Sequence, residues 1–513
     1  ACLTSTERRV PVSDWAVVTI IQRYTSKPRP TIRVQSRLPS LTYIRGMMTD
    51  PTQSDRSPSV LWMSAPLMVS FVMRSAFTFV DTIYAAIIGD AAVAAIGLTF
   101  TFEFVMVAFW IGLSTGLTSV LSRSIGAHEG KKIEQYLSAA WRLVWFVSPM
   151  FLFAGIAIWI VTPRLNEWFP GIQLDTETLQ AFRIYGTVLI GGSAFTQFWS
   201  VIPDSIVKAH QDTRSTMWAG IWSNVANLAL NTLFLFVFGW GIFGIAFSTV
   251  IGRIAGLVYA MKKASDHEAR RLAEGSDINL DQDPNPYKPI LALAVPASIT
   301  FILMAGETAV VNGFLAGSPD STSAIAAYSI YYRIMTFAAM PMIAISVAML
   351  PFAAKRIGER DGAGLNQGLK QSAVVAIIYA IGIMAPAVWL WGDRLAAWLS
   401  ESPLTAEYAA FGLQVVPIAS LMFAPFLLCR PVFEAMGRGR PGLYIAILRY
   451  VVLTWPAAYI GIQVARNMGQ PDLYGILIAL VGIAGVSSAM LAAWLRIVLP
   501  QAATTALEES PNS

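Results

Sequence analysis

The sequence predicts an all-α integral membrane protein with twelve transmembrane helices, arranged as two parallel-repeat six-helix bundles around a central cavity. Three observations carry this prediction: the apolar composition, the sided distribution of loop charges and an internal repeat. Of the 513 residues, 55% are hydrophobic and only 13% are charged. Soluble domains carry about a quarter charged residues because a surface in contact with water needs them. A surface in contact with lipid does not, so the composition favours a membrane protein.

Twelve apolar segments are long enough to cross about 30 Å of hydrocarbon. We expect spans at residues 60–84, 97–122, 136–161, 182–207, 215–238, 243–262, 289–315, 324–350, 368–390, 404–429, 442–464 and 473–498.

The polar segments divide the chain further. Residues 1–57 are rich in Arg and Pro and lack a long apolar run, so we expect a disordered cytoplasmic tail there. The charged segment 263–288 is expected to link an N-terminal lobe, 58–262, to a C-terminal lobe, 289–498. Residues 499–513 are expected to form a second cytoplasmic tail.

Loop charges predict the orientation. One alternate set of loops carries almost all of the basic residues: Arg123, Lys131, Lys132, Lys208, Arg214, Lys262, Lys263, Arg270, Arg271, Lys288, Lys355, Arg356, Arg360, Arg438 and Arg440. The other set carries only Arg164, Arg394 and Arg466, beside several acidic residues. The positive-inside rule places the first set and both termini in the cytoplasm, with the chain in the inner membrane.

The two halves of the chain resemble each other. Shifts of 230 to 232 residues align equivalent positions in collinear order: Pro66 with Pro296, Val80 with Val310, Gly126 with Gly358, and Gly244-Ile245 with Gly475-Ile476. Six spans per repeat is an even number, so both halves share one orientation, as in parallel-repeat transporters. A duplicated channel or membrane enzyme is also compatible with this repeat.

Several other classes are disfavoured. Cys2 and Cys429 cannot form a disulfide framework or a zinc motif. His128, His210 and His267 all fall in predicted loops, which argues against an intramembrane catalytic or metal site. We expect no enzyme activity and no cofactor, and keep an integral-membrane enzyme as the alternative from another class. The net charge of +5 reflects the loops and predicts no nucleic-acid partner.

Polar side chains inside the spans are costly and indicate function. Asp81 lies toward the end of span 1, where it either caps a helix near water or serves a membrane site. Asn224, Asn227 and Asn231 share one face of span 5, either as packing contacts between helices or as a polar wall. With Thr249 of span 6, these oxygens would suit Na⁺ or a protonatable Asp81.

Other charges are candidate residues of the substrate cavity. Arg74 lies seven residues before Asp81, and pairing with Asp81 or with Glu103 is possible by position. In the second half, Glu307 of span 7 and Arg333 of span 8 form another candidate pair. Each could instead be a structural ion pair.

The motifs together resemble one known family, the multidrug and toxic compound extrusion (MATE) transporters, over residues 58–498. The motifs are Pro66 with Val80-Asp81-Thr82-Ile83, Ala94-Ala95-Ile96-Gly97, Ser122 to Ala127, Lys208 to Arg214, Asn227-x-x-x-Asn231, and Gly241 to Thr249. Arg333-Ile334 and Gly437 to Arg440 resemble the DinF-like branch. The NorM-like branch carries an acidic residue midway along span 10, and residues 421–428 contain none.

The resemblance implies an antiporter that exports organic cations or drug-like compounds against H⁺ or Na⁺. Asp81 matches the span-1 acid of the family, and Asn227 and Thr249 match its cation site. Asn231 stands where many DinF-like members carry Asp, which leaves one carboxylate. We expect cation entry to neutralise Asp81 and span 1 to bend near Pro66.

The expected partners are small organic substrates and the bilayer, and we expect a monomer. The first alternative function is a lipid-linked oligosaccharide flippase of the same superfamily. Such flippases tend to have cationic cavities, and Arg74, Arg333 and Arg449 are compatible with one.

Overall fold

The computed structural model describes residues 58–168, 174–275, 281–400 and 402–508. The predicted tail 1–57 lies outside the described residues. Within them the chain is helical apart from short connections and contains no β-strand. Ten of its helices are both long and apolar enough to cross a membrane, counted over this part of the chain. The predicted all-α membrane fold is confirmed.

The first six helical segments form the half that we call the N lobe. They are α1 (Val60–Ile88), α2 (Asp90–Gly126), α3 (Gly130–Val161), α4 (Thr176–Gly186, Thr187–Gly191, Gly192–Trp199 and Val201–Ala209), α5 (Thr213–Thr232 and Leu233–Val237) and α6 (Gly241–Glu274). Short helical turns at Thr162–Arg164 and Leu165–Trp168 follow α3.

The next six segments form the C lobe. They are α7 (Tyr287–Ala316), α8 (Ser321–Gly358), α9 (Gly362–Ile377, Ile378–Met384 and Ala385–Leu399), α10 (Pro403–Ala435), α11 (Arg440–Ile447, Leu448–Leu453 and Thr454–Asn467) and α12 (Asp472–Glu508). A helix satisfies its own backbone hydrogen bonds, which the hydrocarbon of a bilayer cannot do for it. The predicted spans fall within these helices, except that a turn at Ser200 interrupts α4 and α5 ends at Val237.

Two helices continue into segments that were predicted to be a linker and a tail. Helix α6 runs to Glu274, so the first part of the predicted linker 263–288 is helical. Ala264 and Arg271 are buried on this extension, so tertiary packing stabilises it. Gly275, with a φ of 62°, ends the helix. Helix α12 likewise continues into the predicted tail, where its sequence is rich in good helix formers.

Four connections at one end of the bundle share one backbone geometry. In each, a residue with positive φ is followed by an amide that donates to the carbonyl five residues earlier, at 2.8 to 3.1 Å. The positive-φ residues are His128, Gln211, Arg360 and Gly437. His128 is equivalent to Arg360 in the sequence repeat, so the backbone repeats the same pattern. These turns carry the basic loops, and we call this the basic end and the opposite one the acidic end.

The two lobes meet at the basic end through a pair of equivalent glycines. A Cβ on Gly126, at the end of α2, would collide with the carbonyl oxygen of Lys355. A Cβ on Gly358, at the end of α8, would collide with the carbonyl oxygen of Arg123. Arg123 Nη1 also donates to the carbonyl of Ala435 at 3.4 Å. The reciprocal contact is what a two-fold relation between the lobes requires.

Small residues continue this close contact along α2 and α7. A Cβ on Gly112 would lie 2.5 Å from the carbonyl oxygen of Ala294, and one on Gly116 would lie 2.5 Å from that of Ile290. Without a hydrophobic driving force between helices in lipid, such close backbone approach stabilises the contact.

The acidic end is organised differently. There, one buried apolar cluster contains Ala85, Ala92 and Tyr185 of the N lobe, and another contains Val311 and Leu315 of the C lobe. Two larger clusters of described residues contain side chains from both lobes. One includes the half of α1 near the basic end, and the other includes the corresponding half of α7. The lobes are therefore closed against each other at the basic end and separate toward the acidic end.

Two stacked histidines hold the α4–α5 turn against the α6 extension. The rings of His210 and His267 lie 5.0 Å apart with an angle of 11° between their planes. His210 contacts Glu268 at 3.2 Å, and His267 contacts Asp212 at 2.9 Å. Burial alone would raise the pKa of Asp212, but hydrogen bonds from His267 and Ser215 lower it below its usual range.

Replacing Gly126 or Gly358 with alanine is expected to weaken the closure of the basic end, because the new Cβ meets the opposite backbone. With both native cysteines replaced, a cysteine at Ser119 reports closure, since this buried hydroxyl donates to the Glu434 carbonyl at 2.7 Å. Its labelling by a polar thiol reagent should accelerate about tenfold for a loss of about 1.4 kcal/mol. Gly362→Ala, which has open space, is the control. Equal labelling in all variants would show that the glycine contact does not hold the lobes.

Asp212→Asn keeps the cap on α5 but removes the charge that His267 contacts. We expect a loss of about 1 kcal/mol of unfolding free energy at pH 7. Because the folded pKa is lowered, this contribution is present above about pH 4 and fades as the pH falls below that value. Thermal unfolding in detergent as a function of pH measures it. Asp175→Asn, at the cap of α4, is the control, and an equal loss in both variants would contradict the role of His267.

Candidate functional site

The predicted polar residues of α1 and α5 meet inside the N lobe. Asp81 lies seven residues before the end of α1, toward the acidic end. Asn231 Nδ2 donates to Asp81 Oδ1 at 2.6 Å and lies 3.3 Å from Asn227 Oδ1, one turn earlier on α5. Asn231 is fully buried and Asn227 nearly so. The structure thus brings the carboxylate of Asp81 together with two amides of α5, of which Asn231 lies 150 residues further along the chain.

Helix α6 adds two hydroxyl groups to this site. Ser248 Oγ donates to Asn231 Oδ1 at 2.5 Å. Asn227 Nδ2 lies 3.0 Å from Thr249 Oγ1. With its amide turned over, Asn227 instead donates to Asp81 Oδ1 at 3.3 Å and accepts from the backbone N–H of Thr249 at 3.3 Å. Asn227 therefore connects α5 to α6 in one orientation and to both α1 and α6 in the other.

Five oxygen-bearing side chains from three helices converge here: Asp81, Asn227, Asn231, Ser248 and Thr249. Carboxylate, amide and hydroxyl oxygens are the ligands that hard cations prefer. Amide and hydroxyl groups can both donate and accept hydrogen bonds. They can therefore donate to a charged carboxylate or accept from a protonated carboxyl group. The chemistry of these groups is compatible with a bound cation or proton, and Asp81 is the single carboxylate among the five.

Ser248 was not among the predicted site residues. Its signal in the sequence is a row of small residues four apart on α6: Gly244, Ser248, Gly252 and Gly256. A Cβ on Gly252 would lie 2.7 Å from the Ser223 carbonyl, so this row faces α5 at close range. A hydroxyl in such a row must face the side chains of the neighbouring helix.

A charged pair lies beside the site. Arg253 Nη2 contacts Glu103 Oε1 at 2.5 Å, so Glu103 of α2 is paired with α6. Both charges act electrostatically on Asp81. Arg74 is exposed on α1 and interacts electrostatically with Arg253 and Glu103. The sequence offered Asp81 or Glu103 as a possible partner of Arg74, and it did not single out Arg253.

In the C lobe the predicted pairing of Glu307 with Arg333 is wrong. Glu307 Oε2 lies 3.4 Å from Arg449 Nη2 of α11, and Thr454 Oγ1 lies 3.5 Å from Glu307 Oε1. Arg333 is exposed and has no ion-pair partner among the residues that the structure describes. Spacing along the sequence cannot decide which of two arginines on different helices reaches a carboxylate.

Two other predicted residues lie apart from the cluster. Asn224 is half-buried on α5, and no hydrogen bond joins it to the cluster within the described ranges. Pro66 lies inside the continuous helix α1. Met63 and Leu67 on either side of it are buried against α8, so Pro66 lies where α1 is held by the C lobe. Its role as a hinge stays a prediction.

Over the part of the C lobe that the structure describes, there is no equivalent of this polar cluster. The repeat aligns Asp81 with Val311, Ser248 with Ala479 and Thr249 with Leu480. Val311 and Leu480 belong to one buried apolar cluster. The architecture repeats, whereas the polar cluster is confined to one lobe.

Membrane-crossing helices in two lobes, with a polar site inside one lobe, define a multi-pass membrane transporter. The MatE family model matches residues 66–233 and 296–460, one stretch in each lobe. The chain therefore belongs to the MatE family, whose members are transporters and not enzymes.

Curated relatives and a solved structure agree with this assignment. The FAD transporter of Shewanella oneidensis is 23% identical over 471 residues, covering 87% of this chain and 96% of that protein. The multidrug export protein MepA of Staphylococcus aureus is 22% identical over 417 residues, covering 78% and 86%. The outward-facing structure of a multidrug resistance MATE family transporter has a TM-score of 0.72 and 20% identity, covering 86% and 96%. That structure has the same two-lobe fold.

Ser248→Ala is expected to weaken cation binding about tenfold, because the site loses a hydroxyl oxygen and Asn231 loses the donor that orients its amide. The measurement is the cation concentration that half-saturates transport. Ser487→Ala is the matched control, since that buried hydroxyl donates to the carbonyl of Ala484 in its own helix. An unchanged half-saturating concentration in Ser248→Ala would remove Ser248 from the site.

Proposed function

We propose that this transporter exports organic, drug-like compounds in exchange for a cation, either H⁺ or Na⁺. The observation that carries the proposal is the buried cluster in which Asn231 donates to Asp81 at 2.6 Å. One relative, MepA of Staphylococcus aureus, is a multidrug export protein, which supports the substrate class. With the basic end in the cytoplasm, as the loop charges predict, the separation of the lobes faces outward.

The cluster couples cation binding to the state of the lobes in this proposal. A cation or proton that enters from the acidic end neutralises Asp81 and exchanges its hydrogen-bond donors. Since Asp81 is on α1, whose basic half is buried against α8, the change is transmitted to the lobe contact. Each ligand favours one of two states, and exchange follows from that difference in affinity.

One carboxylate serves either ion. Na⁺ would be held by Asp81 with amide and hydroxyl oxygens, whereas H⁺ would sit on Asp81 itself. The described residues contain no group of three or more His, Cys, Asp and Glu side chains arranged for a metal ion. In this proposal Na⁺ is a transported ion, which leaves the site and returns to it in each cycle.

Asp81→Asn is expected to abolish cation-driven transport while the protein still folds, because asparagine keeps the shape and can bond to Asn231. Ethidium transport into inside-out vesicles is measured with a pH gradient and an Na⁺ gradient applied separately. Asp90→Asn, at the exposed start of α2, is the control and should transport normally. Full ethidium transport by Asp81→Asn would overturn the assignment of the coupling site.

A flippase for lipid-linked oligosaccharides is the second candidate, favoured by the exposed, unpaired guanidinium of Arg333 within the described residues. It predicts that neither gradient drives ethidium transport. Cells that lack the protein would then accumulate a lipid-linked precursor without a change in drug tolerance.

A further inference from the structure

The C lobe contains a buried guanidinium with unused donors. Arg449 is only 9% exposed and lies nine residues inside α11, in the π-helical turn Leu448–Leu453. Its Nε and Nη1 have no hydrogen-bond acceptor among the described residues. Nη2 makes a single long contact of 3.4 Å to Glu307. A π-helical turn inside a membrane helix often marks a functional position.

Such an arrangement costs stability. A buried donor without an acceptor loses its hydrogen bond to water and gains none in return, and the cost is larger for a charged group. Intramembrane arginines that persist despite this cost are functional by default. Arg449 is thus poorly explained as a structural ion pair, which would use short contacts on a full edge of the guanidinium.

Aromatic side chains surround Arg449. Its Cζ lies 4.8 Å from the ring centres of both Phe423 and Tyr450. The buried hydroxyl of Tyr450 also has no hydrogen-bond partner in the described part of the chain. Arg430 lies 5.0 Å from the ring of Phe301 and interacts electrostatically with Tyr450. Donors and flat apolar surfaces therefore occur together.

This chemistry fits one class of ligand. A guanidinium binds carboxylate or phosphate through a pair of neighbouring N–H groups, either Nη1 with Nη2 or Nε with Nη2. In both pairs one donor is unused and the other is held only by the 3.4 Å contact to Glu307. An anion can take either pair by replacing Glu307, while its aromatic part stacks on the rings.

We propose that Arg449 is the anion subsite of the transported compound, and that the substrates include soluble planar aromatic molecules bearing a phosphate or carboxylate group. This inference rests on the proposed function and adds a substrate class to it. The cation binds in the N lobe and the anionic group of the substrate binds in the C lobe. One relative is an FAD transporter, and FAD is an aromatic phosphate ester.

A matched ligand pair tests the subsite by binding alone. Riboflavin 5′-phosphate and riboflavin share one ring system and differ only in the phosphate. In detergent, fluorescence quenching should show that the wild-type protein binds the phosphate ester about a hundredfold more tightly, as two charge-assisted contacts provide. Arg449→Lys should reduce this preference about tenfold, because lysine keeps the charge but cannot bind through a pair of donors. Glu307→Gln should increase it, because the competing carboxylate is gone.

The control variant is Arg466→Lys, which changes an exposed arginine paired with Asp472 at 2.8 Å and should keep the preference. If Arg449→Lys weakens the binding of both flavins equally, Arg449 is structural and the inference fails. If a polyprenyl diphosphate competes for the site and riboflavin 5′-phosphate does not, the ligand is a lipid and the proposal for soluble substrates is overturned.

Transport separates this inference from the function on which it rests. A phosphate preference that depends on Arg449, without gradient-driven ethidium transport, would support the subsite and refute the cation-coupled exporter. Ethidium transport that depends on Asp81, without any phosphate preference, would support the exporter and refute the subsite. In active vesicles, Arg449→Lys should lower the ratio of flavin phosphate to ethidium transport about tenfold.

Discussion

The close approach of the two lobes at the basic end is the contact on which the rest of the arrangement depends. Gly126 and Gly358 allow backbones of opposite lobes to touch, and the contact is the same from either side. Lipid offers no hydrophobic force to bring helices together, so complementary surfaces of small residues must do so. The polar cluster lies toward the other end of the lobe, where the halves are apart.

The symmetry of the fold does not extend to its chemistry. Where the N lobe has Asp81 and Thr249, the C lobe has Val311 and Leu480, which pack in one buried apolar cluster. Where the C lobe has Arg449 with Glu307, the N lobe has a different pair, Glu103 with Arg253. A duplicated scaffold thus provides two similar halves that move relative to each other, and each half carries its own set of polar groups.

The helices were predictable because the length of an apolar segment and the charge of a loop are properties of the local sequence. Every expected span corresponds to a helix. The α6 extension was not, because contacts such as His267 with Asp212 stabilise it from a distant loop. Asp81, Asn227 and Asn231 were found because such groups are costly in a membrane. Ser248 was missed because a helical serine commonly bonds to its own backbone, as it also does here to Ile245. The partner of Glu307 depended on helix packing that spacing does not encode.

The length of α6 has a mechanical consequence. Thr249 and His267 belong to one unbroken helix and are eighteen residues apart, so about 27 Å of rigid rod separates them. A tilt of about 5° at the polar cluster would move the far end of this rod by about 2 Å. The stacked imidazoles sit at that far end, against the α4–α5 turn. Helix α6 can therefore transmit a small tilt near the polar cluster to the α4–α5 turn at the basic end of the protein.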